Sequence, residues 1–529
     1  MEKLFKIIIL FMLNKRLAKA RRFLYYKNKN GGNSFMESYG FLSIIPIIVA
    51  VVMAIKTKNV IVSLFSSVFL GVLMLNSYNP LLSTKILIKG FFVPQLTDSY
   101  NAGVIVLMVF IGGFIELMMA SGGAYAFAQA VGHYIDSKKK VQMAAYFTGI
   151  MIFFSDLGTP LIVGPIFAPF FRKLKVSKEK LAYILDSTAS PVAVLVPFIG
   201  WGVFVIGLLQ KEFKNLGLEL SDYQSFIKAI PYNAYPILAI TMIPMITLLG
   251  FDFGLMKKFD HESSEKYLAE ENEEGAKSKY YVENAKPIFV WLPILVLLFT
   301  LFGMLGIKFL TTKVSGSEFR AALSSGYLYA AVVLMMLMLI NKTKKFKEIF
   351  KIYLNGMCKM TEIAIILILA WTLGTINKHL GSADYIVGFI KDINLNAGYI
   401  PIITFVLGCI VSFATGSSWG TFSILIPIVV PMAVATGAPL YATIGAVLSG
   451  GLFGDHVSPI SDTTILASAG AGCEHIDHVK TQMNYAIVNA IIAIVFFGIN
   501  GFVPISSSIL IAIGVQFIVI LLIKIKTKD

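Results

Sequence analysis

Gly454-Asp-His-Val-Ser-Pro-Ile-Ser-Asp-Thr-Thr464 breaks an apolar stretch with two carboxylates, a proline and four hydroxyl residues. A carboxylate at bilayer depth costs about 2.5–3.5 kcal/mol on insertion scales, so it persists only with a partner or a task. A second hydroxyl-rich interruption, Ala414-Thr-Gly-Ser-Ser-Trp-Gly-Thr421, lies shortly before it. The N-terminal half carries the same pair of features in the same order. They read Asp156-Leu-Gly-Thr-Pro160 and Asp186-Ser-Thr-Ala-Ser-Pro191. Broken helices at matching places in two halves are the sequence mark of a transporter's ion and substrate site.

Composition agrees. The 529 residues are 57% hydrophobic and 14% charged, with mean hydropathy +0.77; soluble domains carry far more charge. Spans are read near 39–55, 59–76, 101–120, 187–209, 228–250, 287–310, 321–341, 357–376, 440–453, 484–501 and 503–523. The fold expected is an all-α polytopic membrane protein, with about eleven spans plus two re-entrant hairpins. The net charge of +15 does not point to nucleic acid, because the basic residues cluster between spans, as the positive-inside rule requires. Cys358, Cys409 and Cys473 lack metal or redox spacing and are expected to pack.

Charge fixes orientation. Lys138–Lys140, Arg172–Lys180, the 257–286 loop, Lys342–Lys351 and Lys524–Lys528 are all expected on the cytoplasmic side. Residues 141–171 lie between two such clusters and are too short for two crossings of roughly 20 residues each. They are expected to form a hairpin with its tip at Ser155–Pro160, followed by a broken span over 181–209. In the second half, 398–436 forms a hairpin entered from the opposite face, and 440–470 is the broken span. This is an inverted repeat. Residues 36–251 form the first repeat and 287–529 the second. Residues 252–286 are a charged, flexible cytoplasmic linker. Residues 1–35 are basic and fit the topology poorly. Either the first span is misassigned, or residues 1–35 lie on a membrane surface, or they are a translated extension upstream of Met36.

Sodium is a hard cation that takes several oxygens. Each half offers a set. The first is Asp156 and Thr159 with Asp186, Ser187, Thr188 and Ser190. The second is Thr415, Ser417 and Ser418 with Asp455, Ser458, Ser461, Asp462, Thr463 and Thr464. Desolvation favours a protonated carboxyl, so sodium and a proton can compete for one group. Asp455, Asp462, Asp186 and Asp156 are the candidates for that exchange and for holding sodium. Each is also a candidate helix cap, and each hydroxyl can instead bond its own helix. His456 and Glu116 are candidates for pH sensing, with a structural hydrogen bond and an interfacial carboxylate as their alternatives. Cys473-Glu-His-Ile-Asp-His478 either opens a cytoplasmic helix or binds a metal.

The Gly454–Thr464 block, the small-residue run Ala467–Gly472, the Asp186–Pro191 break and Leu42-Ser-Ile-Ile-Pro46 together resemble the NhaC family of bacterial sodium/proton antiporters. The likeness covers roughly residues 38–525 and implies a secondary transporter of the ion-transporter superfamily. Elevator-like movement of a transport domain, a homodimer and the bacterial inner (cytoplasmic) membrane come with it. The family also holds malate/lactate exchangers and sodium-coupled amino-acid carriers. The function expected is therefore sodium-for-proton exchange, with sodium-coupled carriage of a small organic acid or amino acid as the alternative. No cofactor is expected beyond the coupled ions. Channels use repeated filter rings or hydrophobic gates, and the inverted repeat with paired hairpins argues for alternating access instead; an enzyme would need a motif such as HExxH or GxSxG, and none sits in a span.

Overall fold

The computed structural model describes residues 22–27, 33–57, 59–132, 135–269, 282–306, 316–392 and 395–526. Apart from one antiparallel strand pair, Arg22–Lys27 with Asn33–Ser38, every regular element among them is helical. Among the described residues, nine helices are long and apolar enough to cross a membrane, or up to eleven with two bent pairs counted as spans. The surface is that of a membrane protein. Phe299, Ile340, Leu510 and Ile511 are more than two-thirds exposed, while Asp186, Asp455 and Gln482 are buried. In a bilayer, apolar side chains face lipid and polar ones turn inward.

Both hairpins are present. The first is α1 (Lys138–Met151) and α2 (Gly158–Lys173). It leads into α3 (Lys178–Thr188), a single turn at Ser190–Ala193, and α4 (Gly200–Leu216). Further along, α5 (Thr361–Leu380) precedes the second hairpin, α6 (Ile400–Thr415) and α7 (Ser418–Thr436). The second broken helix is α8 (Leu440–Val457) and α9 (Asp462–Ala471), followed by α10 (His475–Phe502). Hairpin followed by broken helix thus occurs twice in the same order.

Each break lies within two residues of a proline. Ser458 precedes Pro459 and is extended, at φ −76° and ψ 130°, because the residue before proline is pushed out of the helical region. Ser190 precedes Pro191, and the chain leaves the helix at Ala189 (ψ −98°). The second tip turns on Gly416 at φ +66°, where a Cβ would lie 2.8 Å from the Ile460 backbone. The arms then pack through small residues, as membrane helices do. A Cβ on Gly164 of α2 would meet the Gly470 backbone of α9 at 2.4 Å.

Several boundaries differ from the sequence reading. The span expected over 187–209 does not begin until Gly200, because Val194–Ile199 is not helical. Those residues are apolar and read as helix, but Pro197 cannot donate into one. The segment 228–250 is instead a bent pair, Asp222–Tyr232 with Ala234–Leu249, at 49°. Val60–Leu75 is followed by an unforeseen helical stretch, Pro80–Thr97, at 112°. Within the 252–286 linker, Gly254–Ala269 is helical, and its Met256 is fully buried. Residues 270–281 lie outside the described residues. So do residues 1–21 of the 1–35 extension, while Arg22–Lys27 of that extension is strand.

Candidate functional site

Asp455 sits in the last turn of α8, just before the proline break. Both of its oxygens are engaged by hydroxyls. Ser418 Oγ donates to Oδ2 at 2.9 Å and Ser461 Oγ to Oδ1 at 2.7 Å. Ser461 occupies the N-cap position of α9 but makes no cap bond; a serine there ordinarily accepts from the helix's own N–H groups. Thr463 Oγ1 lies 3.0 Å from Ser461 Oγ. The site thus gathers a carboxylate and three side-chain hydroxyls, all nine-tenths or more buried. The N-terminal ends of α7 and α9 both approach it, and their positive ends offset the negative end of α8.

Asp186 of α3 makes the companion site. Its Oδ2 accepts from Gln482 Nε2 at 2.7 Å and from Thr464 Oγ1 at 3.1 Å. His478 Nε2 lies 3.5 Å away. Asp186 Oδ1 is buried with no hydrogen-bond partner among the described residues. Thr464 Oγ1 also lies 3.2 Å from the Asp455 carbonyl, and Gln482 Nε2 donates to the His456 carbonyl. The carbonyls freed at the end of α8 are therefore met by side chains of α9 and α10, as a buried helix end requires.

Asp156, at the first tip, accepts from Leu157 N at 2.9 Å and from Trp201 Nε1 at 3.0 Å. Trp201 packs on Trp419 of the second tip, with ring centroids 5.1 Å apart, and Phe204 lies 4.5 Å from Trp419. Both tips and both breaks accordingly meet at one place.

Not every residue singled out in the sequence enters this cluster. Thr159, Thr188 and Thr415 spend their hydroxyls on their own backbone carbonyls. Ser417 caps α7 by accepting from Gly420 N. Ser458 donates to the Phe413 carbonyl at 2.8 Å and ties the break to α6. Ser190 Oγ is buried without a partner among the described residues. Asp462 is exposed in the first turn of α9, where an acidic side chain suits the helix dipole. Ser187 Oγ and Tyr235 OH hold the two ring nitrogens of His456 at 3.0 and 2.8 Å. Glu116 is paired with Lys359 at 2.8 Å in a partly exposed ion pair. The Cys473–His478 run opens α10, and no group of three metal-binding side chains occurs among the described residues.

Gln482, Tyr235 and Trp201 were not picked out by the sequence reading. Tyr235 and Trp201 stand in mostly apolar helices, and Gln482 is one of several polar residues in the first turns of α10, with no motif around any of them. The one available signal was Gln482, an uncharged polar residue seven positions, about two turns, into α10.

Paired hairpins, broken helices and a buried carboxylate–hydroxyl cluster where they meet define a multi-span membrane transporter. Comparison with known proteins narrows the class. The model of the Na+/H+ antiporter family matches residues 192–502, and the chain belongs to that family. An uncharacterized protein of Haemophilus influenzae is 31% identical over 500 residues, covering 89% of this chain and 94% of that one. The malate-2H(+)/Na(+)-lactate antiporter of Bacillus subtilis is 36% identical over 101 residues, covering 19% of this chain and 22% of that one. The fold is similar to the crystal structure of the YdaH transporter of Alcanivorax borkumensis. That structure covers 94% of this chain and 97% of its own, with a TM-score of 0.57 and 14% identity.

Proposed function

We propose that this protein exchanges sodium for protons across the bacterial cytoplasmic membrane, with Asp455 as the group for which the two ions compete. The observation that carries the reading is the shell of Ser418, Ser461 and Thr463 around a buried carboxylate. Hydroxyls can donate to an ionised carboxylate and, on rotation, turn lone pairs to a cation. Sodium entering this shell gains several oxygens without a new protein conformation. A proton on Asp455 removes the charge that attracts sodium, so each ion expels the other. Asp186, with one free oxygen, is the second carboxylate of the exchange, and Asp156 supports both electrostatically. The ions reach the two faces of the membrane in turn as the hairpins and broken helices move against the remaining helices, in a homodimer.

The Bacillus subtilis relative is, by its name, an antiporter that couples sodium and protons to organic anions, so carriage of a small organic acid is the second reading. Proteoliposomes containing the purified protein and an internal pH dye separate the two. A pH change on adding sodium with no organic solute supports ion exchange. A silent response that becomes sodium-driven uptake when malate, lactate or amino acids are added replaces it with the second reading.

A further inference from the structure

The helix Phe346–Lys359 leads across Met360 into α5. Together the two run for 35 residues. That is about 52 Å at the helical rise, against a hydrocarbon core about 30 Å thick. One end of the pair must therefore leave the core, and charge marks which. Lys342, Lys344, Lys345, Lys347 and Lys351 crowd its beginning, and Glu348 is the one acidic residue between Asn341 and Lys351.

Three faces run side by side around the helix Phe346–Lys359. Ile349, Tyr353 and Gly356 are buried, against the helix Ser99–Ala120. A Cβ on Gly356 would lie 2.3 Å from the Gly112 carbonyl oxygen, and one on Gly113 would lie 2.5 Å from the Tyr353 ring. These contacts fix the helix's rotation, and Lys359 secures it by pairing with Glu116. The next face is apolar and open. Phe346 is 60% exposed, Phe350 45% and Leu354 44%, each four positions from the last and so in one row. The Phe346 and Phe350 rings lie 6.1 Å apart and parallel within 18°. Lys347 and Lys351 follow the two phenylalanines by one position, about 100° further round, and are exposed, as are Lys342 and Lys345. Among the described residues none of the five lysines forms an ion pair. Glu348 instead accepts from Lys345 N at the helix's own start.

Ammonium groups stay out of hydrocarbon, whereas an open row of phenylalanine and leucine belongs in it. With both on adjacent faces of the same turns, and the rotation fixed, the boundary between acyl chains and headgroups runs along this helix. Lys347 and Lys351 stand one turn apart, close enough to share a single phosphate. We propose that this helix binds an anionic phospholipid of the cytoplasmic leaflet, with its phosphate on Lys347 and Lys351 and its acyl chains along Phe346, Phe350 and Leu354. Lys342, Lys344 and Lys345 add to the field that draws it in. A zwitterionic lipid brings its own cation to the phosphate and gains little from the excess of lysines. A soluble anion would meet the lysines and leave the apolar row uncovered. The site shares no residue with the Asp455–Asp186 cluster and does not depend on which ion or solute is carried.

Native mass spectrometry of the full-length protein in neutral detergent, titrated with dioleoyl phosphatidylglycerol or dioleoyl phosphatidylcholine, tests the site. The wild type is expected to bind phosphatidylglycerol about 25-fold more tightly than phosphatidylcholine, at about fivefold for each of two lysines. Lys347→Gln with Lys351→Gln should remove that preference and leave phosphatidylcholine binding unchanged. Lys138→Gln, Lys139→Gln and Lys140→Gln together alter another basic cluster and should leave the preference in place. Inorganic phosphate at millimolar concentration should not displace the lipid. Equal binding of the two lipids by the wild type, an unchanged preference in the Lys347/Lys351 variant, or its loss in the Lys138–Lys140 variant overturns the proposal. Displacement by inorganic phosphate also overturns it, by assigning the lysines to a soluble anion.

Discussion

Thr464 and Asp186 are 278 positions apart in the chain, and their side chains meet at 3.1 Å inside the bundle. The same hydroxyl lies 3.2 Å from the Asp455 backbone carbonyl. Thr464 therefore joins the two broken helices and the two carboxylates of the candidate site. Thr464→Val keeps the shape and removes the hydroxyl, leaving Asp186 with one donor fewer; losing such a bond costs about 1–3 kcal/mol. Apparent sodium affinity should fall about tenfold or more, and Thr464→Ser should restore it, as read by sodium-dependent transport in proteoliposomes.

Ser461 forgoes its own helix cap to donate to Asp455. Ser461→Ala should thus weaken sodium binding while leaving the stability of α9 nearly unchanged. Ser417→Ala, which removes a real cap bond, should instead lower thermal stability by about 1 kcal/mol with little effect on sodium affinity. Comparing the two variants in thermal unfolding and in sodium titration checks the assignment.

The contact of Gly164 with Gly470 has no room for a methyl group. Gly164→Ala should force α2 from α9 and cost about 1–3 kcal/mol through overpacking. A thermal shift assay in detergent reads this directly, and Gly217→Ala is unsuitable as a control because it is left-handed at φ +68°. Gly303→Ala, with nothing within 4 Å of the new Cβ, is the neutral comparison.

Lys180 is fully buried and pairs with Asp252, which also accepts from Tyr485 OH. Removing one member of a buried pair costs about 3–5 kcal/mol, whereas replacing both with apolar groups is often tolerated. Asp252→Ala should destabilise the protein more than the double change Lys180→Met with Asp252→Leu, as measured by thermal unfolding.

The opposite sense of the two hairpins is testable by labelling. Lys173 ends α2 and is exposed, and Ala435 lies exposed near the end of α7. Cysteines at Lys173 and Ala435 should react with a membrane-impermeant reagent from opposite faces. Reaction of both from one face would remove the inverted repeat.

The helical membrane architecture was legible because hydropathy and lysine placement act locally. The break at Ser458-Pro459 was legible because proline constrains the residue before it, and the break at Ala189 because Pro191 fits the first turn of a new helix but not the interior of a continuing one. Val194–Ile199 was missed because its apolar side chains look helical, and the weight of Pro197, which cannot donate into a helix, was overlooked. Asp455, Ser418 and Ser461 stood out as polar groups in apolar surroundings. Thr159, Thr188 and Thr415 stood out equally, and whether a hydroxyl faces the site or its own backbone depends on rotamer and helix phase. Tyr235 gave no warning and Gln482 only the weak one of its polarity, since their role exists only once α10 and the helix Ala234–Leu249 pack on the break.

Proton release on sodium binding tests the central claim most directly. Sodium is titrated into the purified wild-type protein in weakly buffered detergent solution, with a pH electrode following the bath and Asp455→Asn measured alongside. The account predicts saturable proton release from the wild type with sodium, a larger response at mildly acidic than at alkaline pH, and loss of the release in Asp455→Asn. Saturable sodium binding with no proton release, or unchanged release from Asp455→Asn, would contradict it.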